Sequence, residues 1–368
     1  MSIVDHQDAA LDADVYLSMF HRSLGIHLTM RCPLRCAHCS VDSGPDRHET
    51  VDGPLLLRRL EEAGRTGHLK RLSLSGGEPF LMRSLLSGIL EIAERYGIAT
   101  VINTAAHWAS TRERARNALK PFPPIAELAV SADEYHLDFV PLENVRHAAE
   151  AGLDMGLVTS LVIRAWEGED DPFVHTLRTA VGEDVWNRAK LEIDIIKHVG
   201  RGEALPRRTP PVPVAPEHIP EGYCRSADQA VIDHDGTVFA CCNTAGARSA
   251  PHLRLGHLST DSLPGITAKA DRNLLLQAIR VWGPAALGKM IRDAGLGHRL
   301  APHYSDRSIC KMCTDICSKP DLVTFLEEAL NDPNRHAELS VARLLIYGED
   351  QPASDDNAED GFGRERPS

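Results

Sequence analysis

From Gly25 to Ile196 the chain repeats one unit: a short apolar run, then a stretch whose apolar residues recur on one helical stripe. Strands are expected over 25–30, 71–75, 99–103, 125–131, 155–163 and 191–196. Helices are expected between them, over 52–66, 83–96, 111–120, 141–151 and 171–181. In the first helix Leu55, Leu56, Leu60 and Ala63 share one face. Strands alternating with helices imply βαβ units and a parallel sheet. Six such strands are too few for a closed eight-stranded barrel, so the expected fold is α/β, a partial (β/α)6 barrel.

Beyond the barrel, residues 205–220 hold six prolines and read as a stiff, extended linker. Runs at 229–232 and 237–240 flank Asp233-His-Asp-Gly236, a hairpin signal. Two helices are expected over 270–282 and 284–294, a further helical segment over 321–350, and a polar, acidic tail over 351–368. The resulting division is an N-terminal extension (1–24), the barrel (25–204), the linker (205–220), a small α+β unit (221–320), the helical segment and the tail.

The formal charge of −12 argues against a nucleic-acid partner. No apolar run approaches the roughly 18 residues needed to span a bilayer. The first residues lack the basic-then-apolar order of a secretory signal, which places the protein in the cytoplasm. In that reducing compartment, nine cysteines gathered as 32/36/39, 224/241/242 and 310/313/317 point to metal or iron–sulfur ligands rather than disulfides.

The first group, Cys32-Pro-Leu-Arg-Cys36-Ala-His-Cys39, is a C-x3-C-x2-C loop directly after the first strand. Three thiolates in one loop can hold a 4Fe–4S cluster with one iron open to an outside ligand. A zinc site completed by His38 is the alternative. Ser75-Gly76-Gly77-Glu78-Pro79 closes the second strand. Glycines there permit close backbone approach, and a carboxylate can accept hydrogen bonds from an ammonium group.

Over residues 25–200 these motifs resemble the radical S-adenosylmethionine (SAM) superfamily. The resemblance implies that Cys32, Cys36 and Cys39 bind the SAM-binding 4Fe–4S cluster and that Gly76, Gly77, Glu78 and Pro79 hold the methionine end of SAM. Asn103, Ser131 and Asp133, at later strand ends, would contact its ribose or carboxylate. It further implies reductive cleavage of SAM to a 5′-deoxyadenosyl radical that takes hydrogen from the substrate, with electrons from a flavodoxin- or ferredoxin-type donor. Gly200-Arg201-Gly202 resembles a segment of relatives with an extra cluster, and Tyr135-His136 would face the barrel mouth.

Cys224, Gly236 and Cys241 (C-x11-G-x4-C), with Cys310, Cys313 and Cys317 (C-x2-C-x3-C), resemble the auxiliary-cluster domains called SPASM or twitch. Six cysteines are too few for two further clusters, so one auxiliary 4Fe–4S cluster is expected on Cys224, Cys241, Cys310 and Cys313. A structural zinc is the alternative. Cys242, expected on the opposite strand face from Cys241, and Cys317 remain over. Each is either a hydrogen-atom donor to the substrate or a buried small residue.

The expected reaction is oxidation or epimerisation of a small biosynthetic metabolite, because only residues 1–24 precede the first strand and many peptide-modifying relatives carry a leader-binding domain. A maturase of ribosomal peptides is the alternative. A non-catalytic iron–sulfur electron carrier is the more distant one, since it needs neither an open iron nor the Gly-Gly-Glu-Pro segment.

Overall fold

The computed structural model describes residues 22–206, 212–305 and 308–347. Strand β1 (Ser23–Thr29) is buried throughout its seven residues. Its alternation explains why: Leu24, Ile26 and Leu28 enter the main apolar core, whereas Gly25 and His27 face an internal cavity. Helix α1 (Gly53–Arg65) starts where Asp52 accepts the Leu55 N–H at 2.9 Å, and Pro54 sits in its first turn. The same logic repeats through β2 (Arg71–Gly76), α2 (Arg83–Tyr96), β3 (Ala99–Thr104), α3 (Arg112–Leu119), β4 (Glu127–Ala132), α4 (Leu142–Asp154) and β5 (Val158–Ala165). It ends with α5 (Pro172–Val181), α6 (Glu183–Arg188) and β6 (Lys190–Ile195).

Strands β1 to β6 pair in sequence order, all parallel, which is the expected split (β/α)6 sheet. Three expectations shift. The strand expected from 155 starts at Val158, because α4 runs on to Asp154 and turns at Gly156. The helix expected from 171 begins at Pro172, because Asp171 is buried and its carboxylate caps α5. Helix α6 has no counterpart among the expected elements.

The proline-rich stretch forms a two-residue strand β7 (Pro213–Val214); residues 207–211 lie outside the described residues, as do 1–21 and the 348–368 end. The hairpin forms as β8 (Gln229–Ile232) and β9 (Thr237–Phe239), continued by β10 (Arg254–His257). Its placement is not legible in the sequence: β8 pairs in parallel with β1, Ser23 opposite Gln229. One nine-stranded sheet of order β10-β9-β8-β1-β2-β3-β4-β5-β6 therefore runs through both halves. The chain leaves the strand at Phe239, so Cys241 and Cys242 lie in a turn before α7 (Thr244–Arg248), not on opposite strand faces as expected.

The helix expected over 270–282 is two helices. Helix α8 (Leu263–Arg272) stops at Asn273, whose Oδ1 accepts the Leu276 N–H at 2.9 Å and starts α9 (Leu274–Val281). A local cap outweighs the continuous apolar run. Helix α10 (Gly283–Asp293) follows, then β11 (Tyr304–Ser305) paired with β7, α11 (Ile309–Cys317), α12 (Pro320–Leu330) and α13 (Pro333–Tyr347). These helices enclose a second apolar core around Leu276, Ile279, Met312 and Ile316.

Candidate active site

The cysteine loop leaves β1 already tied down. Cys32 N–H donates to Gly44 O at 3.1 Å and Met30 N–H to Glu49 O at 2.8 Å. From the next strand, Glu78 N–H donates to Arg31 O at 2.9 Å. A Cβ on Gly77 would lie 2.1 Å from Arg31 O, so glycine is what lets β2 end against the cysteine loop. The Glu78 side chain is buried and accepts from Phe80 N–H, the Thr104 hydroxyl and Ala105 N–H at 3.2, 2.9 and 3.0 Å. It ties the Gly-Gly-Glu segment to the end of β3, with Pro79 buried beside it.

Arg201 clamps the loop from the far side of the sheet. Its guanidinium donates to Cys36 O, Ser43 O and Asp42 at 2.9, 2.8 and 2.9 Å, and its N–H to Cys39 O at 2.9 Å. Gly200, at φ +58°, makes this approach possible, since a Cβ would lie 2.2 Å from Ser40 O. Gly200→Ala is therefore expected to cost about 1–3 kcal/mol and to lower iron uptake, read by chemical denaturation and iron assay. Unchanged stability and iron content would show that the clamp is dispensable.

The three thiols share a cavity of about 520 Å³. Gly76, Gly77, Asn103, Ser131 and Asp133 line it at the carboxyl ends of the strands, as expected for the ligand-binding end of a parallel sheet. Asn103 is steadied by donating to Ser73 Oγ at 3.2 Å. His27, on β1 next to the Ser75-Gly76 end of β2, lines the same cavity, with Nδ1 3.0 Å from Asp233 Oδ1 of the β8–β9 turn. Asp133 is a hub: Oδ1 accepts the N–H groups of Tyr135 and His136, and Oδ2 lies 3.1 Å from His38 Nε2 and 2.8 Å from His136 Nδ1.

Burial would raise the Asp133 carboxyl, but His136 and His38 hold it well below the usual carboxylate range. Burial likewise opposes charge on His136, yet Asp133 and a hydrogen bond with Cys36 push its imidazole up to about 10. Burial pushes the Cys32 thiol up to about 12, with the charges of Glu78, Cys36 and Cys39 acting the same way against a hydrogen bond from the Leu34 backbone. Thiols forced together in this manner become thiolates when a metal centre supplies positive charge. Ser43 N–H already donates to Cys39 Sγ at 3.3 Å. His38 Nδ1 and Ser43 Oγ are buried there without a partner among the described residues. The donor set fits an iron–sulfur cluster.

A second hollow, about 50 Å³, is lined by Cys224, Cys241, Cys242, Cys310 and Cys313. Cys310 and Cys313 lie one turn apart on α11, and Cys317, one turn further, is fully buried. Burial pushes Cys224 up to about 12, reinforced by Cys313 and Cys310. Cys241 and Cys310 are raised by burial and then by Cys242, while Cys313 is raised first by Cys317 and then by burial. The same argument from crowded, buried thiols applies. All nine cysteines are unpaired.

Cys242 and Cys310 also line the larger cavity, so the two cysteine sets adjoin across one space. That convergence, the Asp133 hub and the pinned His27 bring together residues far apart in the chain and leave no local pattern in the sequence. The nearest signals are Gly200-Arg201-Gly202 and the mouth-facing His136.

Residues 26–163 match the model of the Radical SAM superfamily, so this part of the chain is a radical SAM domain. The chain is also similar to the putative peptide biosynthesis protein YydG of Bacillus subtilis (strain 168), 20% identical over 320 residues, covering 83% of this chain and 95% of that protein. Among solved structures it is similar to SuiB of Streptococcus suis bound to its precursor peptide SuiA (13% identity, 84% of this chain and 82% of that one, TM-score 0.44). BtrN in complex with AdoMet and 2-DOIA gives 15% identity, 81% and 92% coverage, and a TM-score of 0.41. No helix among the described residues is long and apolar enough to cross a membrane.

Proposed function

We propose that this chain is a radical SAM enzyme that epimerises a residue within a peptide, with Cys242 as the hydrogen-atom donor. The observation that carries it is the place of Cys242: an exposed thiol on the wall of the cavity that also holds Cys32, Cys36 and Cys39. Cys317, the other donor considered, is fully buried and lines neither hollow. A peptide is preferred to a small metabolite because the YydG similarity runs over nearly the whole of that protein.

When bound at Cys32, Cys36 and Cys39, the cluster and SAM supply a carbon radical able to take hydrogen from an unactivated C–H bond. Gly76, Gly77, Asn103, Ser131 and Asp133 would contact SAM, with Glu78 and Pro79 supporting that wall. Once the substrate carbon has lost its hydrogen atom, the Cys242 S–H bond breaks and a new C–H bond forms on the opposite face. The resulting thiyl regains its hydrogen as one electron and one proton, the electron coming from a flavodoxin- or ferredoxin-type protein. Cys224, Cys241, Cys310 and Cys313 hold one auxiliary 4Fe–4S cluster in this reading.

The test is reaction of the anaerobic enzyme, in heavy water, with reductant, SAM and a short peptide encoded beside its gene. One deuterium at an inverted residue is expected. Cys242→Ala should still release 5′-deoxyadenosine but leave the residue uninverted, and full inversion by that variant would overturn the assignment. A second reading rests on Cys310, which lines both hollows. A cluster held there could accept the second electron of an oxidation, and a product lacking two hydrogens would select that reaction.

A further inference from the structure

We infer that His27 is a substrate-binding residue whose Nε2 accepts a hydrogen bond from a backbone amide N–H of the peptide. This rests on the peptide reading above and deepens it, since it assigns a contact to a buried side chain that the proposed reaction leaves unused.

The sheet puts the ring in place. Ile26 of β1 pairs with Ile232 of β8, so His27 comes opposite Asp233, the first residue beyond that strand. On the other flank His27 pairs with Ser75 of β2. Ser73, Ser75, Gln229 and Val231 line the same cavity around it, and so does Cys242. The imidazole thus stands in a wall of the chamber that holds the proposed hydrogen donor.

Asp233 decides how the ring is presented. Its carboxylate is buried. Oδ1 accepts the His234 N–H at 2.9 Å and lies 3.0 Å from Nδ1 of both His27 and His234, while Oδ2 accepts from Arg248 at 2.6 Å. Burial would raise this carboxyl, but its hydrogen bonds with His234 and His27 hold it well below the usual carboxylate range. A carboxylate only accepts, so a neutral His27 carries its proton on Nδ1 and its lone pair on Nε2. Nε2 has no partner among the described residues, yet it is not sealed in as His38 Nδ1 is, so it opens to the cavity that the ring lines. An acceptor there fits an N–H, the donor that every peptide unit except that of proline carries.

The experiment measures KM and kcat of the anaerobic, cluster-loaded enzyme for the peptide encoded beside its gene, with wild type, His27→Asn and His27→Gln. The asparagine amide can stand in for Nδ1 and still donate to Asp233, but it puts nothing at Nε2. Glutamine brings its carbonyl oxygen to the Nε2 position and gives up Asp233. His27→Asn should raise KM for the peptide about tenfold with kcat little changed, the pattern of a lost ground-state contact. His27→Gln should recover most of that loss. A wild-type KM in His27→Asn, the result of a role confined to tying the two halves together, would overturn the inference. So would a rise in KM for SAM alone, which would place the partner of Nε2 on SAM. Peptides with one amide at a time replaced by an ester test the wild type directly. One position should raise the wild-type KM about tenfold and have no further effect on His27→Asn. If no position matters to the wild type, the inference is overturned whatever the variants do. A wild type that shows no saturable turnover of the peptide would overturn the peptide reading as well.

Discussion

Cys36→Ala protein, purified and reconstituted anaerobically, should form no 5′-deoxyadenosine above that of heat-treated enzyme when given SAM and reductant. Cys36 is the most enclosed of the three loop thiols, packed with Leu34 and Val140 in a small apolar cluster of its own. Alanine fits that space, and the loop keeps its anchors to Gly44, Glu78 and Arg201. The fold should therefore survive, visible as an unchanged circular dichroism spectrum, while two thiols are left where a cubane with an open iron needs three. Cys310→Ala, acting at the other hollow, should keep the cleavage. Substantial product from Cys36→Ala would remove the loop as the site of SAM cleavage.

Asp228→Ala should destabilise the C-terminal half by about 3–5 kcal/mol, the usual cost of removing one partner from a buried ion pair. Arg280 is completely buried and its guanidinium meets the Asp228 carboxylate, itself 4% exposed. The Arg280 guanidinium carbon lies 3.7 Å over the Tyr347 ring, and Arg280 O accepts the Cys224 N–H at 3.1 Å. The pair thus fastens α9 and α13 to the turn that presents Cys224. A shift of the denaturation midpoint is the readout, with reduced iron at the second cysteine set alongside. Combining Asp228→Ala with Arg280→Met should restore much of the loss, because no charge is then left in the core. A single variant as stable as wild type would mean that Arg280 is satisfied without the carboxylate.

The barrel is legible in the sequence because its strands obey a period of two and its helices one of 3.6, and because caps such as Asp52 and Thr111 stand where the apolar pattern begins. The cysteine groups are legible for a different reason: ligand spacing is local. What escapes is long-range pairing. That β8 adds to β1 follows from an edge of the barrel sheet needing a partner, and nothing in residues 229–232 names that partner. The approach of Cys242 to the first cysteine loop depends on this pairing, so it is invisible too. Glu78 shows the limit of motif reading: its carboxylate is occupied by Phe80, Thr104 and Ala105, which the motif does not contain.

The pairing of β8 with β1 also bears on how far the protein can be divided. A fragment ending at Ala204 would keep every strand of the radical SAM barrel and still leave β1, the strand that feeds the cysteine loop, with a bare edge. His27 would lose Asp233, its buried partner. Exposed strand edges invite pairing between molecules. The C-terminal half is thus part of the scaffold of the first, and gene fusions or domain exchanges in this architecture have their natural joints elsewhere than at the proline-rich linker.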